Sequence, residues 1–431
     1  MKFIDFTLNS GSVCSIFLII SLFLLLSLSC SVAHKYLQNA DAAYVKSKPE
    51  SSGPSLNDPS LKVETVFKNS DELDLPITSM AFLGPDDILV LEKNKGTVQR
   101  IVNGHLQSGP LLEVPVGNEV EWGMLGIATT TSSAGKTHVF VYFTEAENDV
   151  VLGNRLYRYD LVNDKLVNPL LLLDLPATSP QSGEENNHDG GKVEIGPDDN
   201  VYVVIGDVGG RTGQAQNNIE GDSIDGTSGI LRITQDGQPV GEGIIGDSIP
   251  LNLYYAYGIR NSFGFDFDPV TGSVWDTENG ANDKDEVNLV KPGFNSGWSQ
   301  VMGFPPKRFN AENDLVNFNG KGQYSDPQFV WKETIGPTAL QFLKSSNLGA
   351  LYENTIFTGD VNTGNLYNFK LNADRTGLLL EGPLADHIAN TPEEEQNIIF
   401  GTGFGVIIDI KTGLDGNLYV LGYDGTIYRI S

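Results

Sequence analysis

The sequence predicts an all-β fold: a six-bladed β-propeller behind an N-terminal signal or anchor segment. Three observations carry that expectation. After residue 60 the apolar residues alternate in short runs and show almost no helical period. A two-part unit, in which a turn and an apolar strand are followed by a second turn and an alternating strand, recurs six times along the chain. The 431 residues include 48 glycines, which suits a chain with many tight turns.

The elements follow in order. Residues 13–33, VCSIFLIISLFLLLSLSCSVA, carry no charge. They are long enough to span a bilayer, and Ser31-Val32-Ala33 equally suits cleavage of a secretory signal. Residues 1–33 are therefore expected to be a signal peptide or membrane anchor, and the remainder to be extracytoplasmic, either secreted or held at the cell surface. Residues 34–60, rich in Ser, Pro, Asn, Lys and Asp, read as a flexible linker, with the folded domain over 61–431. Within it, GPDDILVLEK leads to GTVQRIV (84–102), and THVFVYFTEA to GNRLYRYDL (137–161). GPDDNVYVVIGD leads to SGILRIT (196–234), and DPVTGSVWDTENG to DEVNLV (268–290). YENTIFTGD leads to GNLYNFKL (352–371), and LDGNLYVLGY to GTIYRI (414–430). One strand pair cannot bury both of its faces, but radial stacking of small sheets can. A pair of β-sandwiches also has strands at turn-marked intervals; six similar units weigh against it. With about four strands per unit, the last strand is expected to close the ring.

Composition narrows the function. With 28 basic and 55 acidic residues the formal net charge is −27, a surface that repels phosphate backbones and excludes nucleic acid as a partner. The two cysteines, Cys14 and Cys30, lie in the uncharged segment, so the domain has no disulfide, thiolate chemistry or cysteine-ligated zinc.

Four loops hold candidate chemistry. In ENNHDGGKVEIGPDDNVYVVIGDVGG (185–210) His188 runs into a glycine pair, and the strand that follows ends on Asp207. Placed side by side, Asp207 would accept from one imidazole nitrogen and leave the other as a base; the alternative is a hydrogen-bonded turn histidine. In YGIRNSFGFDFDP (257–269) Arg260 and Asn261 offer contacts to an anionic or quinonoid oxygen, unless the arginine pairs with a carboxylate. In DTENGANDKDEVNLVKPGFNSGWS (276–299) the residues Glu278, Asp283, Asp285 and Glu286 form either an oxygen-rich Ca²⁺ loop or a solvated acidic turn. In VEWGMLGIA (120–128) Glu121 and Trp122 supply a polar contact and a stacking face, or the tryptophan packs the core.

Taken together, HDGGKVEIGPDDNVYVVIGD, YGIRNSFGFDFDP and ENGANDKDEVNLVKPGFNSGW resemble the motifs of the glucose/sorbosone dehydrogenase family, over about residues 61–431. That family consists of exported six-bladed propellers that bind pyrroloquinoline quinone (PQQ) and calcium, oxidise an aldose at its anomeric carbon to a lactone, and pass electrons to an external acceptor. The resemblance implies that His188 is the base, Asp207 the carboxylate that orients it, and Arg260 the cation over the reacting quinone carbonyl. Asn261, Glu121 and Lys192 match cofactor contacts, with Lys192 in place of an arginine. The Gly280 and Ala281 carbonyls match ligands of the Ca²⁺ beside the cofactor, Ala281 replacing a proline. Glu286 matches a carboxylate at a separate structural Ca²⁺. Val406 and Ile408 stand where the family has arginines that pair with cofactor carboxylates, with Lys344 and Lys411 as candidate substitutes. Two other readings remain: a non-catalytic, calcium-stabilised binding propeller that has lost the cofactor, and a metal-dependent lactonase-type propeller.

Overall fold

The computed structural model describes residues 53–178 and 187–431. The expected signal or anchor, and most of the expected linker, lie outside the described residues, among which no helix is long and apolar enough to cross a membrane. Pro54–Ser431 forms one compact unit. Ordered pairing begins earlier than Leu61: Ser55–Leu56 lies antiparallel to Gly401 and Thr402, and Asn57 Nδ2 donates to the Ile399 carbonyl at 2.7 Å.

The fold is an all-β propeller, but the expected plan of six like blades closed by the last strand is corrected. Five stretches of chain each supply four antiparallel strands of one blade, with short strands that join the preceding sheet intervening in the fourth and fifth. They run from Ile77–Gly84 to His105–Leu106, from Met124–Thr131 to Lys165–Leu175, and from Val193–Ile195 to Tyr254–Tyr257. The fourth runs from Gly264–Phe267 to Phe329–Trp331 and the fifth from Pro337–Phe342 to Ile399–Thr402. The final stretch supplies only Ile407–Thr412, Leu418–Gly422 and Ile427–Ile430. Its sheet is completed from the other end of the chain, by Val63–Phe67 pairing antiparallel with Ile427–Ile430. The sheets are also unequal. Phe294–Asn295 and Gln323–Tyr324 extend the third in parallel, and Ile388–Ala389 adds in parallel to Phe329–Trp331. Strands of two residues are too short to show any side-chain period, so repeat patterning overlooks them.

Strand Val201–Ile205 shows why these sequences make packed blades. Val201, Val203 and Ile205 pack on Phe140 and Tyr142 of the preceding sheet, while Tyr202 and Val204 pack on Phe265 and Phe267 of the next. Both faces are covered, so the strand reads as a continuous apolar run. Each buried Val or Ile contributes about 1.5–3 kcal/mol relative to exposure.

Candidate active site

Three backbone segments meet where strand Val201–Ile205 ends. The Gly206 N–H donates to the His188 carbonyl at 3.0 Å, and the Asp207 N–H to the Arg260 carbonyl at 2.9 Å. Gly206 permits this approach: a Cβ there would lie 2.5 Å from the Arg260 oxygen and 2.7 Å from that of His188. His188 adopts a left-handed backbone (φ 62°), which turns its side chain back toward Asp207.

The expected pair forms. His188 Nδ1 lies 2.5 Å from Asp207 Oδ1, and the other Asp207 oxygen accepts the Trp298 indole N–H at 2.7 Å. With Asp207 as acceptor, the imidazole donates from Nδ1, and Nε2 is not engaged by that bond. Glu121 holds the same residue from behind: its Oε2 accepts the His188 N–H at 2.6 Å and the Asp189 N–H at 3.3 Å. Glu121 thus contacts the base's backbone as well as lining the adjacent cavity. Burial pushes its carboxyl up, against the pull of His188 and of the two N–H donors.

Among the described residues Arg260 forms no ion pair. Its Nη1 donates to the carbonyls of Asn279 at 2.9 Å and Gly280 at 3.1 Å, and its guanidinium carbon lies 5.4 Å from the centre of the Trp298 ring. Its backbone N–H donates to Glu278 Oε1 at 2.6 Å. Asn261 is buried, accepts the Asn279 N–H on its carbonyl at 2.8 Å, and has no side-chain partner for Oδ1 among the described residues.

Trp298 is a residue of the candidate site that sequence reasoning missed. It was visible only as the last letter of GFNSGW, and its indole reaches Asp207 across 91 residues. Trp122, the tryptophan that was singled out, packs in the core and donates to the Ala177 carbonyl at 2.9 Å. Trp298→Phe keeps the ring beneath Arg260 and removes one donor from Asp207. Loss of such a charge-assisted bond costs about 1.5–3 kcal/mol, so turnover is expected to fall roughly 10- to 100-fold with little change in melting temperature. A matching drop in melting temperature would reassign Trp298 to the core.

Asp189, beside the base, is buried. One oxygen accepts from Asn154 Nδ2 at 2.7 Å, and Oδ2 has no partner among the described residues. Burial pushes its carboxyl up to about 7. The folded state therefore favours the protonated form. The associated stability is complete below about pH 4 and is lost as pH rises through about 7. Asp189→Asn is expected to raise the melting temperature at pH 8 and to leave it nearly unchanged at pH 4. An equal shift at both, followed by circular dichroism, would contradict this origin.

A cavity of about 320 Å³ adjoins these residues, lined by Glu121, Lys192 and Asn279 among others, with Leu125, Phe263 and Ile408 on its apolar wall. The Lys192 ammonium is committed to Asp409 Oδ1 at 2.5 Å, and Asp409 also accepts from Ser79 Oγ at 3.1 Å and the Met80 N–H at 3.0 Å. The candidate substitutes for the absent arginines are committed too: Lys411 bonds to Glu194, and Lys344 pairs with Asp266 at 2.7 Å.

The candidate metal residues separate. The Gly280 carbonyl accepts from Arg260, its N–H donates to Asp285 Oδ1 at 2.8 Å, and Ala281 is exposed, as is Asp283. Glu286 is buried. It accepts from the Gly303 N–H and from Asn288 Nδ2. Strand register sets Glu278 opposite Glu286 and Asp276 opposite Asn288, so all four share one face of the sheet. Both Asp276 oxygens and Asn288 Oδ1 lack partners among the described residues. Burial, then the mutual repulsion of Glu278 and Asp276, pushes the Glu286 carboxyl well up. Burial likewise pushes Glu278 up to about 7. No three His, Cys, Asp or Glu side chains among the described residues are drawn together as a formed metal centre.

A buried His–Asp pair, an arginine held by two carbonyls over a tryptophan ring, and an adjoining cavity thus lie together at the ends of propeller strands. The chain belongs to the Glucose / Sorbosone dehydrogenase family, whose profile matches residues 73–429. It is 24% identical over 360 residues to the aldose sugar dehydrogenase YliI of Escherichia coli K12, covering 81% of this chain and 88% of that protein. It is 28% identical over 252 residues to quinoprotein glucose dehydrogenase B of Acinetobacter calcoaceticus, covering 51% and 50% respectively. Among solved structures, the PQQ-bound aldose sugar dehydrogenase of Streptomyces coelicolor has the same fold. The TM-score is 0.62 at 23% identity, covering 88% of this chain and 98% of that one.

Proposed function

We propose that this protein is an extracytoplasmic, quinone-dependent oxidoreductase that oxidises an aldose at its anomeric carbon to the lactone and passes the electrons to an external acceptor. The observation that carries the reading is the His188–Asp207–Trp298 chain of hydrogen bonds beside Arg260. His188 Nε2 takes the proton of the anomeric hydroxyl, and Asp207 stabilises the imidazolium that results. A bound quinone of the PQQ type supplies the two-electron acceptor for the hydride leaving the same carbon. Arg260 turns a fixed positive charge toward the oxygen that gains negative charge. The fit to such a cofactor is good at this reactive end. For calcium, the unpartnered oxygens of Asp276 and Asn288 beside Glu278 and Glu286 support a buried cation. Gly280 is less available, because its carbonyl holds Arg260.

The binding-propeller reading is favoured by one observation: Lys192, Lys344 and Lys411 are all neutralised by carboxylates of this chain. The same pairs count against a lactonase, because Asp409, Asp266 and Glu194 are each bound to a lysine rather than converging on a metal. The test is dye reduction by the purified protein with Ca²⁺, a panel of quinones including PQQ, and a panel of aldoses. Aldose-dependent reduction supports the dehydrogenase. Its absence with every quinone overturns that reading in favour of the binding propeller.

A further inference from the structure

The cavity beside the catalytic pair has a charge balance that bears on which quinone it accepts. Four charged side chains line it, and their charges cancel: Lys93 and Lys192 against Glu121 and Asp409. Lys192 is bound to Asp409, whose second oxygen is filled by Ser79 and Met80. Lys93 donates to the Val120 carbonyl at 2.9 Å and to Asn94 Oδ1 at 3.2 Å. Phe263, Leu125, Val361 and Ile408 complete an apolar wall. Lys93 is in no ion pair among the described residues, so it could meet one entering carboxylate, but a tricarboxylate would lose the water of the others without gaining a cation, and drawing Lys192 away would strand Asp409, which is buried. Arg260 is the one guanidinium at the site, and it reaches the cavity's edge through the Asn279 carbonyl.

Building on the quinone-dependent reading, we propose that the cavity selects a planar, largely uncharged ortho-quinone, with one oxygen toward Arg260, and disfavours the tricarboxylated PQQ. Affinity comes from the apolar walls and the single guanidinium.

Calorimetric titration of the holoprotein with two probes, PQQ and phenanthrenequinone, decides this. The expected result is at least tenfold tighter binding of the uncharged phenanthrenequinone. Ile408→Arg, which places a guanidinium on the apolar wall, is expected to tighten PQQ at least tenfold and to weaken phenanthrenequinone, reversing the order of the two probes. Tighter binding of PQQ by the parent protein overturns the proposal, as does failure of both probes to bind. So does a folded Ile408→Arg variant with unchanged PQQ affinity. Should that variant fail to fold, the parent protein's preference decides alone. If the predicted order holds but no aldose is oxidised with any quinone, the dehydrogenase reading fails while the cavity's selectivity stands.

Discussion

His188→Asn is expected to fold like the parent protein and to lose turnover by about 10²–10⁴-fold, the usual contribution of a positioned general base. Asparagine is the replacement of choice because position 188 has φ 62°, a left-handed conformation that asparagine tolerates. The backbone N–H that Glu121 accepts is kept, and so are the bonds of Gly206 and Asp207 to the neighbouring carbonyls. Only the imidazole is lost. Two measurements check the outcome: kcat/KM for an aldose at saturating quinone, and quinone affinity by calorimetry. A large fall in the first with the second nearly constant supports the assignment. Parallel loss of both would make His188 a structural turn residue.

The second large effect is on stability. Asp276, Glu278 and Glu286 are buried on one sheet face, and among the described residues no lysine or arginine side chain pairs with their carboxyl groups. Adding Ca²⁺ at pH 8 is expected to raise the melting temperature and chelation to lower it. A ligand at 100 to 1,000 times its dissociation constant adds about 2.7–4.1 kcal/mol. For a domain of this size that is a shift of roughly 5–10 °C. Glu286→Gln removes a carboxylate from the face and is expected to abolish most of the calcium dependence. A melting temperature indifferent to Ca²⁺ and chelator alike would leave the buried acids as neutral, protonated groups.

Much of this arrangement was legible in the chain. His188 and Asp207 could be paired because a glycine turn, a five-residue apolar strand and a terminal aspartate follow in direct succession. The blade strands were legible through their turns and alternation. Contacts between distant loops were not. Nothing in the sequence around Lys192 announces that Asp409, 217 residues away, takes its charge, yet that contact turns an expected cofactor ligand into half of an internal ion pair. The acidic loop was read as a unit. The structure divides it: strand register buries Asp276, Glu278 and Glu286 together, while Asp283, in the loop between the two strands, is exposed. The two-residue strands and the blade built from both chain ends escaped for a related reason, since their pairing is set by neighbours in space rather than by local pattern.

The pairing of Val63–Phe67 with Ile427–Ile430 has a consequence for biogenesis. Glu64 and Arg429, joined at 2.8 Å, lie 365 residues apart. Val63–Phe67 is thus left without its partner until Ile427–Ile430 has been made, and loop-closure entropy favours no earlier completion. Each of the other five sheets draws its four antiparallel core strands from one stretch of chain, whereas this sheet is completed only when Ile427–Ile430 joins Val63–Phe67. A chain lacking Ile427–Ile430 would therefore also leave Val63–Phe67 unpaired, while Ser55–Leu56 kept its partners Gly401 and Thr402.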